Sequence, residues 1–177
     1  MPYIIRQARL DERDEIQQLI VASARHLSRA EYSDAQIEAA VRGIFGVDTS
    51  LIDDGTYFVA DSEGKLIGCG GWSRRRTLFG GDQVTHRDLA ELNPLRDAAK
   101  IRAFFVHPNF ARQGVARAIL QRCEDEARAN GFRALELMST MPGIKFYLSC
   151  GYEEIEPTDY NVDDVTVPFV VMRKKLT

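Results

Sequence analysis

A short segment in the second half of the chain combines small residues with two arginines. It reads Val106-His107-Pro108-Asn109-Phe110-Ala111-Arg112-Gln113-Gly114-Val115-Ala116-Arg117. The pattern predicts a buried strand that leads through a tight turn into a helix. The first amides of such a helix have no intrahelical partner and carry a positive partial charge, and Gly114 and Ala116 leave room against the backbone. Arg112 and Arg117 can add charge-assisted bonds, so the segment predicts a phosphate-binding turn.

The residues alone do not identify the phosphate ligand. The segment lacks the GxxxxGK[ST] pattern of a P-loop and the GxGxxG pattern of a dinucleotide fold, which disfavours ATP and NAD. The residues therefore indicate a phosphate-bearing cofactor of unspecified type. The alternative is an ordinary strand–helix turn with a tolerated glycine, which is the commoner explanation of a lone glycine.

Two segments together resemble the GCN5-related N-acetyltransferase (GNAT) family. The turn is similar to the family's acetyl-CoA motif Q/R-x-x-G-x-G/A, with Ala111 at the first position, Gly114 at the glycine and Ala116 at the last position. About thirty residues later, Ile144-Lys145-Phe146-Tyr147-Leu148-Ser149-Cys150-Gly151-Tyr152-Glu153 resembles the family's A-x-x-F-Y-x-x-x-G-F segment. Ala111 departs from the motif. The resemblance implies that backbone amides hold the pyrophosphate, so this departure should weaken pyrophosphate binding little.

The resemblance implies a set of residues that bind acetyl-CoA. They are Phe104, Phe105, Val106, Ala111, Arg112, Gln113, Gly114, Val115, Ala116, Arg117 and Thr140. Main-chain groups of Phe104 and Val106 would pair with the pantetheine arm like an added strand. Thr140 stands where many members have an asparagine that touches this arm, and Gly143 replaces the usual alanine.

The same resemblance implies a catalytic role for Tyr147. It aligns with the tyrosine that protonates the departing thiolate, and its ordinary pKa of about 10 is near that of a thiol, about 8.5. The alternative is that Phe146 and Tyr147 only pack in the core, and both roles are compatible.

The implied function is direct transfer of an acetyl group from acetyl-CoA to the primary amine of a small molecule or peptide. The acceptor is left open among amino acids, polyamines, antibiotics, peptide N-termini and lysine. One alternative is a non-catalytic acyl-CoA-binding or sensor module on the same fold, and another is a hydrolase that uses Cys69. The general base is also open, with Glu136, Glu91 and Asp97 as weak candidates.

The segment Gly68-Cys69-Gly70-Gly71-Trp72 is rich in glycine, and the resemblance implies that this strand lies beside the acetyl group and the acceptor. Glycine in a strand often marks a bulge or the close approach of a ligand. Trp72 is expected either to line the acceptor pocket or to pack beneath the long loop that follows. The run 74–76 of three arginines is expected to be a solvated strand end, although in the cleft it would favour an acidic acceptor. His107 is expected to be structural.

The elements that must position these residues alternate between strand and helix patterns. Strands are expected at 3–8, 57–60, 65–72, 101–106, 132–138, 152–155 and 165–172. Helices are expected from Asp11 through Leu27, from a cap at Ser33 or Asp34 through Phe45, over 114–130 and over 142–150, and residues 78–97 have no clear pattern. The order predicts one α/β domain over 1–177 with a mixed sheet. The resemblance implies a mostly antiparallel, twisted sheet with flanking helices and two splayed central strands.

Composition limits the remaining possibilities. Hydrophobic residues make up 45% and charged residues 28%, and the net charge of −3 gives no reason to expect nucleic-acid binding. The chain has no run of about eighteen apolar residues that would span a membrane. Its three widely spaced cysteines indicate neither a disulfide framework nor a metal site, so a cytoplasmic protein is expected. A homodimer that shares strand 165–172 is possible.

Overall fold

The computed structural model describes residues 2–177, and within them seven strands form one sheet. The strands are β1 (Ile4–Gln7), β2 (Tyr57–Ser62), β3 (Lys65–Ser73), β4 (Ala99–Val106), β5 (Ala134–Thr140), β6 (Glu153–Val162) and β7 (Val165–Lys175). Their order is β1-β2-β3-β4-β5-β7-β6, and every neighbouring pair is antiparallel except β4 with β5. The predicted mixed, mostly antiparallel α/β fold is confirmed.

Helices cover both faces of the sheet. They are α1 (Arg13–Leu27), α2 (Asp34–Gly43), α3 (Thr49–Asp53), α4 (Val115–Ala129) and α5 (Ile144–Ser149). Apolar residues of α1 and α2 join the core on one face, and those of α4 and α5 join the core on the other face. The predicted stripe of α4 from Val115 to Ala127 is buried, and Ser33 caps α2 by accepting a hydrogen bond from the Gln36 amide.

Several boundaries differ from the sequence-based expectations. Helix α3 was not expected, because five residues are too few to show a helical period. Helix α2 ends at Gly43, so Phe45 lies beyond it, although it is still buried. Strand β6 continues to Val162 rather than ending near 155. The sequence did not predict this length because most of this outermost strand is exposed and lacks an apolar alternation.

The C-terminal strand is not free to pair with a second subunit. Strand β7 is bonded to β5 along one edge and to β6 along the other. The strand at that border of the sheet is β6, whose residue Pro157 and bulge between Glu154 and Glu156 interrupt its ladder. Within the described residues strand β7 therefore has no free edge, and a homodimer stays a prediction.

The two central strands separate soon after they meet. Strands β4 and β5 pair only at Ala99 with Leu135 and at Lys100 with Glu136. Strand β4 then bulges, because Ala103 has a left-handed backbone with φ of +53° and the register with β3 shifts there. The splayed pair that the resemblance implied is confirmed, and it leaves a gap between the carboxyl-terminal halves of β4 and β5.

Candidate active site

A cleft of about 900 Å³ opens where β4 and β5 separate. Strand β4 from Ile101 and strand β5 from Leu137 form its floor. Its walls come from the end of α1, the segments 44–46 and 78–81, the turn before α4, and α5. Tyr147 and all the residues predicted to bind acetyl-CoA line this cleft, except Gln113 and Arg117.

The turn before α4 presents a row of unpaired backbone donors. Arg112 and Gly114 have left-handed φ values of +61° and +84°, and the first helical bond runs from the Ala118 amide to the Gly114 carbonyl at 3.0 Å. The amides of residues 112–117 have no acceptor in the part of the chain that the structure describes. A Cβ added to Gly114 would meet no atom within 4 Å. The turn therefore combines free N–H groups with open space, as an anion-binding helix start requires.

The edge of β4 contributes further unpaired groups. Val106 lies opposite Gly68 on β3, and the next amide, that of His107, donates to the Ile67 carbonyl at 2.9 Å. In an antiparallel ladder this makes Val106 a non-hydrogen-bonded position, so its own N–H and C=O point away from β3. They face the gap, where β5 has already separated. An extended ligand arm can pair there as an additional strand.

Tyr147 lies on α5 at the wall of the cleft. Its ring packs edge-on against Phe146 at 5.0 Å and Tyr152 at 5.6 Å between ring centroids. Burial, with smaller contributions from Cys123 and Cys150, raises the pKa of Tyr147 well above its ordinary value. The hydroxyl is protonated at neutral pH, and no hydrogen-bond partner for it occurs within residues 2–177.

Thr140 ends β5 and begins the turn that leads into α5. Its hydroxyl oxygen accepts a hydrogen bond from the Gly143 amide at 3.2 Å, which caps the 3-10 turn Met141–Gly143. Thr140 also lines the cleft. It thus fixes the approach to Tyr147 and borders the gap where an extended arm would lie.

Comparison with known proteins decides the family. A model of the acetyltransferase (GNAT) family matches residues 14–152. The chain belongs to this family. No curated protein matches the sequence of this acetyltransferase.

Solved structures share the fold of this acetyltransferase. A GCN5-related N-acetyltransferase from Rhodopseudomonas palustris has a TM-score of 0.74 at 18% identity, with 99% of this chain and 97% of that chain covered. PaiA N-acetyltransferase from Thermoplasma acidophilum, in complex with coenzyme A, has a TM-score of 0.66 at 14% identity and 99% coverage of both chains. The ribosomal-protein-S18-alanine N-acetyltransferase of Escherichia coli has a TM-score of 0.60 at 16% identity, with 99% and 95% covered. At these identities the likeness concerns the fold.

Two residues predicted to bind the cofactor lie outside the cleft of the acetyltransferase. The Gln113 side chain donates to the Asn109 carbonyl at 3.3 Å, and the Arg117 guanidinium donates to the Ser149 hydroxyl at 2.9 Å. Both side chains are exposed on the outer side of the turn. Their backbone amides belong to the row of unpaired amides at 112–117, so they contribute to the turn through the main chain and not through the side chains.

The glycine-rich strand does not line the acetyltransferase cleft. Trp72 is 1% exposed, and its indole N–H donates to Glu126 at 3.1 Å, so it packs beneath the sheet instead of forming an acceptor pocket. Burial raises the pKa of Cys69 to about 12, and this thiol is buried in the core and does not line the cleft. A buried, protonated thiol is a poor nucleophile, which removes the basis for a hydrolase that uses Cys69.

The weak candidates for a general base also lie elsewhere. Glu136 accepts a hydrogen bond from Lys100 at 3.0 Å, and Asp97 accepts one from the Asn93 amide at 2.7 Å. The backbone of Glu91 forms an isolated antiparallel β-bridge with that of Arg75. None of the three lines the cleft. His107 is structural, as expected, because its Nδ1 accepts a hydrogen bond from the Asn109 amide at 3.1 Å.

A buried ion pair beside the cleft was not found from the sequence. Arg102, 3% exposed, donates to Asp48 at 2.9 Å and to the carbonyls of Thr77 and Gly80 at 3.3 and 2.6 Å. Burial acts to raise the pKa of Asp48, but Arg102, Arg87 and a hydrogen bond from Ser50 hold it below its ordinary value. The sequence signal for this ion pair was Arg102 in the otherwise apolar run 101–106, since a buried arginine requires a buried acid.

Within residues 2–177, no helix is long and apolar enough to cross a membrane. No group of three or more His, Cys, Asp and Glu side chains there is arranged to hold a metal ion.

Proposed function

We propose that this protein transfers an acetyl group from acetyl-CoA to a primary amine by direct transfer. The observation that carries the proposal is the row of unpaired amides at 112–117 around an open Gly114, beside the unpaired edge of β4. Family membership supports the acyl-transfer chemistry. The coenzyme A complexes of PaiA N-acetyltransferase and of N-acetylglutamate synthase from Neisseria gonorrhoeae support the choice of donor.

The residues of the cleft fit such a donor. The amides of 112–117 would hold the diphosphate, with the exposed Arg112 and Lys145 side chains at the same end of the cleft. The main-chain groups of Val106 would hold the extended arm. When bound, the coenzyme supplies an activated acetyl thioester.

The protein's own contribution to the chemistry centres on one proton. Tyr147 holds it on Oη at neutral pH, because burial raises the pKa of this hydroxyl. The hydroxyl gives that proton to no residue of the described chain, so it is available to a leaving group in the cleft. Closure of the cleft by a ligand excludes water and strengthens the polarising effect of nearby backbone amides.

Release of coenzyme A thiol from acetyl-CoA over a panel of primary amines tests the proposal. Tyr147→Phe should lower kcat by about tenfold or more, the range expected when a proton donor is lost. The dissociation constant for coenzyme A should change by less than about twofold, because the hydroxyl makes no hydrogen bond in the chain and the ring is retained. Tyr3→Phe, which alters a half-buried tyrosine outside the cleft, is the matched control.

Two results would contradict this account. An unchanged kcat in Tyr147→Phe, with single-turnover measurements showing that chemistry limits the rate, would remove Tyr147 from the mechanism. Tight coenzyme binding with no thiol release for any amine would favour the non-catalytic binding module over the transferase.

A further inference from the structure

The cleft also has a largely apolar wall on the face of the sheet that α1 covers. We call it the acceptor half, and it is formed by Ala24, Leu27, Glu31, Phe45, Phe79 and Phe169. Its aromatic side chains pack edge-on, with ring centroids 6.3 Å apart for Phe45 and Phe169, and Phe45 also meets Phe105 at 5.4 Å. This wall is therefore apolar and rigid, and it offers edges and faces that suit an aromatic or branched alkyl group.

Glu31 is the one carboxylate among the described residues that line the cleft. It is exposed, and within residues 2–177 no lysine, arginine or histidine nitrogen lies within 4.0 Å of it. Burial, together with the nearby Glu31 carboxylate, raises the pKa of Tyr32 to about 12. The Tyr32 hydroxyl accepts a hydrogen bond from the Met141 amide at 3.0 Å. Tyr32, the residue that follows Glu31, is thus bonded to the turn that leads to Tyr147.

The cations near the acceptor half are already neutralised or point elsewhere. Arg102 lines the cleft, but it is buried and paired with Asp48. Arg75 donates twice to Asp54, at 2.8 and 2.9 Å, and Arg74 lies over the Trp72 ring. The free cations, Arg112 and Lys145, are at the phosphate end. The expectation that arginines 74–76 could recognise an acidic acceptor therefore has no support in this geometry.

The segment 77–84 closes one side of the acceptor half. The Gly81 amide donates to the Ile44 carbonyl and the Asp82 amide to the Val47 carbonyl, both at 2.9 Å. The Gln83 side chain donates to the Phe45 carbonyl at 2.8 Å. Because this segment is tied down at several points, it forms a fixed wall on this side of the cleft of about 900 Å³. That space suits a small molecule.

We infer that the acceptor is a small primary amine on an aromatic or branched alkyl body without a carboxylate, and that Glu31 binds its ammonium group. The inference rests on the proposed function and narrows its substrate. The new C–N bond forms as the C–S bond breaks. The ammonium loses two protons in total, of which one ends on sulfur and one in solvent.

Three amines with matched features test this inference. They are 2-phenylethylamine, L-phenylalanine, which adds a carboxylate to the same body, and spermidine, which lacks the apolar body. We expect kcat/KM for 2-phenylethylamine to exceed the other two by at least about tenfold, since an unpaired buried charge or an unfilled apolar wall opposes their binding. A short peptide with a free N-terminus is included as a fourth acceptor.

Substitution of Glu31 tests its role separately. Glu31→Gln should raise KM for 2-phenylethylamine roughly three- to tenfold, as for a partly solvated ion pair, and should leave kcat within about twofold. Calorimetry should show the same weakening of amine binding in the presence of coenzyme A, whose own affinity stays unchanged. Glu15→Gln, an exposed glutamate of α1 outside the cleft, is the control and should alter none of these values.

The outcomes separate this inference from the proposed function. Equal or better turnover of L-phenylalanine, spermidine or the peptide would overturn the acceptor class and leave the acetyltransferase function standing. Identical behaviour of Glu31→Gln and Glu15→Gln would overturn the role of Glu31. Coenzyme binding without turnover of any amine would overturn the function and the inference together.

Discussion

Substitution of Gly114 provides a sharp test of the phosphate turn, because the chain contains a matched glycine elsewhere. Gly114 has φ of +84° and Gly64 has φ of +87°, and a Cβ at either position would meet no atom within 4 Å. Gly64 lies in the turn between β2 and β3, outside the cleft. The two sites therefore impose the same backbone strain and the same lack of steric conflict in the free protein. They differ in whether a ligand is expected there.

The expected loss of stability is the same at both sites. A side chain with L chirality in the left-handed region costs about 1–2 kcal/mol. For a domain of this size each kcal/mol lowers Tm by roughly 2–4 °C, so either alanine variant should melt roughly 2–8 °C below wild type.

The expected effect on binding differs. A carboxylate about 4 Å from one phosphate charge is repelled by about 1–4 kcal/mol, depending on the local dielectric, and about 1.4 kcal/mol is tenfold in Kd. Gly114→Glu should therefore weaken coenzyme A binding by at least about fivefold. Gly114→Ala should weaken it less, because its methyl group only obstructs the approach of the ligand to the amides.

Calorimetry with coenzyme A and thermal unfolding of all four variants make the comparison. Gly64→Ala and Gly64→Glu should bind coenzyme A like the wild type while losing comparable stability. If Gly114→Glu binds as tightly as Gly64→Glu, the diphosphate does not lie at this turn. The inferred role of the unpaired amides would then be wrong.

Two further predictions concern buried groups. Asp48→Asn should cost about 3–5 kcal/mol in urea unfolding, because it leaves a buried guanidinium without its counter-charge, whereas the exposed Asp53→Asn should be nearly neutral. Since the pKa of Asp48 is lowered in the fold, its contribution is present above the ordinary carboxyl pKa and is lost as the pH falls through the lowered value; equal urea midpoints for both variants would contradict this. Iodoacetamide should modify the half-buried Cys150 well before Cys69 in the native protein, as read by mass spectrometry, and Cys69→Ala should retain turnover. Rapid labelling of Cys69 with loss of activity would restore the thiol as a nucleophile.

The parts of the site that local patterns encode were predictable. Three signals in the sequence predict the turn into α4: the apolar run of the strand before it, the glycine within it and the apolar stripe of the helix after it. Each of these signals extends over a few residues. The hairpin of β2 and β3 has the same local character, because the turn residues Asp61-Ser62-Glu63-Gly64 separate two apolar runs. The Ser33 cap is likewise confirmed by its bond to Gln36.

The parts that depend on distant contacts were not predictable. Asp48 and Arg102 are 54 positions apart, and neither carries a motif that names the other. Glu31 lies in a turn where a glutamate is ordinarily solvated, and only the fold places it in the cleft. The raised pKa of Tyr147 likewise arises from burial that its own segment does not encode. The residues that we infer to contact the acceptor were therefore not predictable from the sequence, whereas the turn into α4 was.

The position of the turn before α4 also depends on strand β3, which does not line the cleft. A Cβ on Gly68 would come within 2.6 Å of Val115, and one on Gly70 within 2.7 Å of the Phe104 ring. These glycines admit the first residue of α4 and the Phe104 ring rather than a ligand, which differs from the expected acceptor pocket. Val115 follows Gly114 directly and is 2% exposed, so its contact with bare backbone sets how closely α4 approaches the sheet. The unpaired amides are held at the gap because the helix that carries them is anchored on β3.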